Sequence, residues 1–401
     1  MKKIFVLLMV ISGAMFAQEG LKFSAQIRPR FEIDNKDFNS NTDANTFTVL
    51  RTRLGLSFNP VKNISGFVQV QDSRYFGEEP STAANTKNLD LHQAYFIIND
   101  LFELPVDLKL GRMEMSYGSE RFVGPVNWSN IGRSFDGGVL TYKGEKFKVD
   151  LFATREFEKF NPEDSLDQNV YGLFAELRFI EFCKIEPFII WQRTQPTDLL
   201  NRATLGFNAK GNNGSFSHEV DFGYQLGTVT ASNRKQDISA ITFSVGGTYN
   251  FEGELKPTVG AQFDYVSGDD NAADNDYKSF ASLYATGHKF FGYMDYFINF
   301  PNDTYGLGLM DIIGKAGISP IAKMNLILNL HIFKANEEYT LLNGDTTKDF
   351  GTELDFILNY KYNDNVTFEG GASYFSAGDI FKEKRGKDSS TWFYLMAVVN
   401  L

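Results

Sequence analysis

Between Leu108 and Gly138 the chain reads LKLGRMEMSYGSERFVGPVNWSNIGRSFDGG, setting Arg112, Arg121 and Arg133 among one Trp, one Tyr and six glycines. A guanidinium is a fixed fork of donors that binds a carboxylate through two parallel bonds. These arginines therefore have two jobs open to them: to pin the segment to acids such as Glu114, Glu120 or Asp136, or to face an anionic solute. A second segment, FASLYATGHKFFGYMDYF from Phe280 to Phe297, places His288 beside Lys289 and near Asp295. A histidine so placed can titrate near neutrality, as a general base must. Hydrolase chemistry also needs a nucleophile, and no residue is singled out for that role. The chain is therefore expected not to be an enzyme. His92, His218, His288 and His331 show no metal-ligand spacing. Asp269, Asp270, Asp274 and Asp276 gather carboxylates of the kind calcium uses, but lack the spacing and closing Glu of an EF-hand, so a solvated acidic loop is expected. No cofactor is implied.

The elements that must position these residues are strands. Helical periodicity is nearly absent, and period-two alternation runs through the chain. Phe23, Ala25, Ile27, Phe31 and Ile33 fall on one face of the first segment, with Gln26, Arg28, Arg30 and Glu32 on the other. Leu50, Leu54 and Leu56 alternate with Arg51 and Arg53; Phe222, Tyr224 and Leu226 with Asp221 and Gln225; Leu354, Phe356 and Leu358 with Glu353 and Asp355. The second face is charged on strand after strand, as the lumen of a membrane barrel is, whereas a small soluble barrel has an apolar interior. Many segments run about 10 to 13 residues, enough to cross a bilayer when tilted. About eighteen such segments are bounded by turn residues, with short turns alternating with long connections. The expected fold is all-β: a transmembrane antiparallel β-barrel of about eighteen strands with long loops folded into the lumen. Tyr75, Phe76, Phe157, Trp191, Tyr265 and Trp392, near strand ends, fit interfacial girdles.

The start, MKKIFVLLMVISGAMFAQ, pairs two lysines with an apolar run and small residues, the layout of a signal peptide. Residues 1–17 are read as that leader, with a cut after Ala14 as the alternative, and 18–401 as one barrel domain. Removing the leader takes the formal charge from −11 to −13, which makes nucleic acid an unsuitable partner. Cys183 is the lone cysteine, so no internal disulfide forms. Aromatic and glycine content, Phe 39, Tyr 18 and Gly 35 against Pro 11, suits strands and turns.

The two segments resemble the alginate export family of outer-membrane porins. The first carries Gly111, Arg112, Tyr117, Gly118, Arg121, Trp128, Asn130, Gly132, Arg133, Phe135, Asp136 and Gly137; the second carries His288, Lys289, Phe290, Gly292, Asp295 and Phe297. The resemblance implies a monomeric barrel of about eighteen strands with inward loops, in an outer membrane of the Gram-negative type. Its partners would be the bilayer, lipopolysaccharide and a hydrophilic solute. Twelve of the fourteen arginines lie before residue 203. Arg28, Arg30, Arg51, Arg53, Arg112, Arg155, Arg178 and Arg202 are thus candidates for a cationic wall favouring anions. Glu32, Glu114, Glu176, Glu219, Asp221, Glu353 and Asp355 oppose it with a mixed field. The expected function is passive passage of hydrophilic, anionic or carbohydrate-like solutes; the alternative is a non-conducting binding or scaffold barrel, an adhesin or a sleeve for a partner protein.

Overall fold

The computed structural model describes residues 20–84, 88–158, 167–195, 199–231 and 234–401, so the leader expected at 1–17 lies outside the described residues. Alternation of branched or aromatic with polar side chains produces, among the described residues, nineteen strands: β1 (Leu21–Asn35), β2 (Asn45–Val61), β3 (Ile64–Tyr75), β4 (Leu89–Ile98), β5 (Val106–Met113), β6 (Phe135–Lys143), β7 (Phe147–Phe157), β8 (Asp167–Ile180), β9 (Cys183–Gln195), β10 (Leu200–Asn213), β11 (Phe216–Ala231), β12 (Arg234–Asn250), β13 (Thr258–Val266), β14 (Asp276–Tyr277), β15 (Leu309–Ile318), β16 (Met324–Thr340), β17 (Thr346–Lys361), β18 (Val366–Ala377) and β19 (Ser390–Asn400). All but β14 pair antiparallel in chain order, β13 pairing directly with β15. β14 is a two-residue parallel addition to β12. Eighteen strands therefore form the wall, as the turn count anticipates.

Closure is made by β19 on β1, from Gln26 opposite Asn400 to Asn35 opposite Thr391. Ala25 and Leu401 exchange both main-chain hydrogen bonds at the seam, at 3.0 and 2.8 Å. A closed ladder leaves no row of unpaired amides to face hydrocarbon, which an open sheet could not avoid. One end of the barrel has tight turns, and Asn63 and Gly214 adopt left-handed φ of 67° and 62° there, a conformation that Asn and Gly tolerate best. The other end carries long loops, including loop one (114–134) and loop two (267–308).

Polarity is inverted relative to a protein in water. Phe23 is 60% exposed and Leu151 53% exposed on the outer face, whereas Glu353 and Asp311 are wholly buried inside. Burying charge while exposing large apolar side chains is untenable in water and is what a bilayer demands. Leu151→Arg, at the centre of the outward face of β7, is expected to cost about 2–4 kcal/mol of folding into lipid vesicles, measured by urea titration.

The lumen also holds an apolar core that alternation alone did not reveal. Phe38 from the 36–44 loop, Phe297 from loop two, Phe333, Phe350, Phe375 and Phe381 pack together, with Phe297 and Phe333 ring centres 4.6 Å apart. Phe381 comes from a short helix, α1 (Asp379–Lys384), in the last long loop. Edge and stacked contacts of this kind tie three loops to the wall between β16 and β18.

Candidate functional site

Two inward loops form a septum across the lumen, and the arginines of β1 and β2 hold one side of it. Arg28 and Arg51 are cross-strand neighbours, each 3% exposed. Arg28 donates to the carbonyls of Asn127, Trp128 and Ser129, and Arg51 to those of Asn127 and Ser129 at 2.9 and 3.0 Å. Arg30 reaches the Trp128 carbonyl at 2.7 Å and pairs with Glu32. Arg53 donates to the Ile131 carbonyl at 3.1 Å and pairs with Glu114 at 3.0 Å. Loop backbone inside a barrel must find partners for its carbonyls, and charged donors supply the strongest. Gly132, at φ 84°, makes room for Arg53: a Cβ there would stand 2.6 Å from its Nη2.

Loop one is anchored on the opposite wall by Arg121, which contacts Asp221 of β11 at 3.3 Å, Asp264 of β13 at 3.2 Å and Ser244 Oγ of β12 at 3.1 Å. Burial is the largest influence and opposes its charge, but Asp264 and Asp221 outweigh it and hold its pKa above the ordinary value. The Arg121 guanidinium also lies over the Phe290 ring of loop two, 4.1 Å from its centre.

The loops join each other by backbone and side chain. Val123 bridges Tyr284 in parallel, Gly124 N–H donates to the Tyr284 carbonyl at 2.8 Å, and Thr286 N–H donates to the Glu120 carbonyl at 3.0 Å. Trp128 stacks on His288 at 3.9 Å and 7°. Arg30 lies over the Trp128 ring, and Asp295 Oδ1 is 2.8 Å from His288 Nδ1. Lys289 reaches Glu120 at 2.6 Å. Arg133 donates to the carbonyls of Gly124 and Ala285, at 3.1 and 3.2 Å. Burial holds its pKa below the ordinary arginine value.

This septum divides the space inside the wall. A cavity of about 640 Å³ on the long-loop side is bordered by Arg30, Glu32, Trp128, Arg133, His288 and Asp295. On the short-turn side lie a cavity of about 280 Å³, touched by Lys109, Glu114, Tyr117, Lys148 and Asp150, and one of about 320 Å³, touched by Arg121, Lys210, Asp221, Lys289 and Lys315. His288 borders one compartment and Lys289 the other, so this turn is the partition itself.

The alginate export family model matches residues 19–394, nearly the whole chain. The chain belongs to the alginate export family. Solved structures of similar fold include Pseudomonas aeruginosa OccD3 (OpdP), at TM-score 0.60 and 12% identity over 96% of this chain and 91% of that one. Acinetobacter baumannii OccAB4 gives 0.61 and 10% over 96% and 99%. Pseudomonas aeruginosa OpdK with vanillate gives 0.60 and 11% over 95% and 98%. No curated protein matches. Family and barrel together make this an outer-membrane porin, a passive channel for solutes.

The long-loop end of the porin is then extracellular and the short turns periplasmic. Not every residue expected in its lumen lies there. Asp136 shares its face with exposed Leu140 and Tyr142, and Arg155 with exposed Leu151, while Phe135, Val139 and Phe152 take the buried positions. Arg112 pairs with Asp136 at 2.6 Å on that outer face. Alternation at period two decides this: one residue's shift moves a side chain from lumen to lipid side. Arg178, exposed beside Glu176, sits at the periplasmic mouth. Arg202 is buried on Gln192. Two aromatics expected in girdles, Tyr75 and Trp392, border the extracellular cavity instead.

The acidic loop of the porin does not converge on a cation. Asp269 and Asp274 accept the amides of Asn271 and Asp276, and Asp270 pairs with Lys278 at 2.6 Å. Among the described residues no group of three or more His, Cys, Asp or Glu is arranged to hold a metal. His288 has its carboxylate, but its Nε2 is buried with no hydrogen-bond partner, so no nucleophile is aligned there.

Proposed function

We propose that the porin passes small anionic, carbohydrate-like solutes past the septum, as a monomer and without chemical change to them. The observation that carries the anionic preference is a pair of lysines, one in each periplasmic compartment. Lys109 lies over the Tyr95 ring at 3.9 Å, and Lys315 donates to Gln262 Oε1 at 2.7 Å; among the described residues neither forms an ion pair. Each therefore keeps charge to offer a carboxylate, whereas the arginines of β1 and β2 spend theirs on loop one. In this reading Arg28, Arg30, Arg51, Arg53, Arg121 and Arg133 fix the septum, His288, Lys289 and Asp295 form its aperture, and Arg178 borders the exit. Arg112 and Arg155, outward at the extracellular end, face lipopolysaccharide headgroups.

The test is current through planar bilayers in a salt gradient. Wild type is expected to be anion-selective, and Lys109→Gln with Lys315→Gln is expected to move the reversal potential toward cations. Block of the current by uronate oligosaccharides more than by neutral ones supports the solute class. An unchanged potential in the double variant overturns the role of the lysines, and absence of any current favours the sleeve or adhesin reading.

A further inference from the structure

Glu353 and Asp355 stand two positions apart on β17, so both face the lumen, and both are fully buried. Their carboxyl groups meet each other. Glu353 Oε1 also accepts the amide of Met294, in loop two, at 2.8 Å. Gly292 passes so close that a Cβ there would stand 2.6 Å from both carboxylate oxygens, with φ at 83°. Both the angle and the contact demand glycine. Asp355 Oδ1 accepts Ser373 Oγ at 2.5 Å. Glu353 Oε2 and Asp355 Oδ2 are left buried without a donor, which two ionised carboxylates in contact would make very costly.

The pair sits among further acids, with one histidine between two of them. From β16, His331 places Nε2 3.7 Å from Asp355 Oδ2, while its Nδ1 is 2.8 Å from Asp311 of β15. Asp264 of β13 lies beyond, held by Arg121. Loop two brings Asp295 and Tyr296 near Glu353 and Tyr293 near Asp355, while Glu369 of β18 lies by Tyr293. A proton shared between Glu353 and Asp355 removes one charge from this neighbourhood and gives the pair a hydrogen bond that two carboxylates cannot form.

We propose that Glu353 is a positioning residue for the channel aperture: sharing one proton with Asp355 it holds loop two on β17, and loss of that proton to water releases the loop and opens the septum. Met294 lies only five residues beyond Lys289, so undocking it unseats the turn that carries His288 and Lys289. The inference rests on the channel reading for its effect on current, but loop release itself does not.

Two readouts on the full chain separate these. The first is single-channel recording from about pH 5 to about pH 9, the range open to a buried carboxyl. The second is Trp128 emission in a Trp191→Phe, Trp392→Phe background, reporting the stack on His288 without any current. In wild type, the ratio of open to closed occupancy is expected to rise with pH, by up to about tenfold per pH unit for one proton lost. Trp128 emission is expected to change over the same range. Glu353→Gln keeps an acceptor for Met294 and a permanent donor for Asp355, so it is expected to stay closed and flat with pH. Asp355→Asn should do the same from the other side, should the first variant fail to fold. Flat emission in wild type, or a Glu353→Gln variant that titrates as wild type does, overturns the proposal. Titrating emission without current supports the clamp and counts against the channel reading instead.

Discussion

Arg121→Met is expected to be the most destabilising single change in the septum, at about 3–5 kcal/mol, because it leaves Asp221 and Asp264 buried without their cation. The guanidinium is buried and bonds to three strands of the wall, and among the described residues no other charged side chain of loop one reaches them. The loss should appear as a lower urea midpoint for refolding into vesicles, together with a larger conductance as loop one leaves the β11–β13 wall. Most of the penalty is the stranded negative charge rather than the missing contact. Asp221→Asn and Asp264→Asn added to Arg121→Met should therefore recover much of the stability, while conductance stays high. If Arg121→Met refolds at the wild-type midpoint, the network does not hold the loop.

The partial legibility of this site in the sequence has a physical cause. Period-two alternation is a local property of strands, so residues such as Arg28, Arg51, Asp221 and Glu353 could be assigned to the polar face without knowing their partners. Whether a loop folds inward, and onto what, depends on contacts more than a hundred residues apart in the chain, such as Arg121 with Asp264. The arginine-rich stretch advertised donors but not acceptors, which proved to be carboxylates of distant strands for Arg121 and backbone carbonyls, which any sequence supplies, for Arg133. Arg112, Asp136 and Arg155 were misplaced because they sit where loop and strand meet, and there alternation has too few neighbours to fix its phase. The Phe38 to Phe381 core escaped because phenylalanines on both faces of a strand look alike in a sequence, whether they meet lipid or a loop.

Arg51→Glu is the change that separates a wall facing solute from a wall gripping a loop. The Arg51 guanidinium donates to two carbonyls of loop one and to Gln26, and a carboxylate there can donate to none of them. It would also draw in Arg28, its cross-strand neighbour, which gives three further bonds to the same stretch of loop. Charge-assisted bonds are worth roughly 1.5–3 kcal/mol each, so losing several is enough to detach Asn127–Ser129 from β1 and β2. Expected together are a reversal potential moved toward cations and a conductance well above wild type. Arg51→Gln, which removes the charge but leaves an amide donor for the carbonyls, should move both far less. A shift in reversal potential with unchanged conductance in Arg51→Glu would show that the side chain meets the solute and that loop one is held without it.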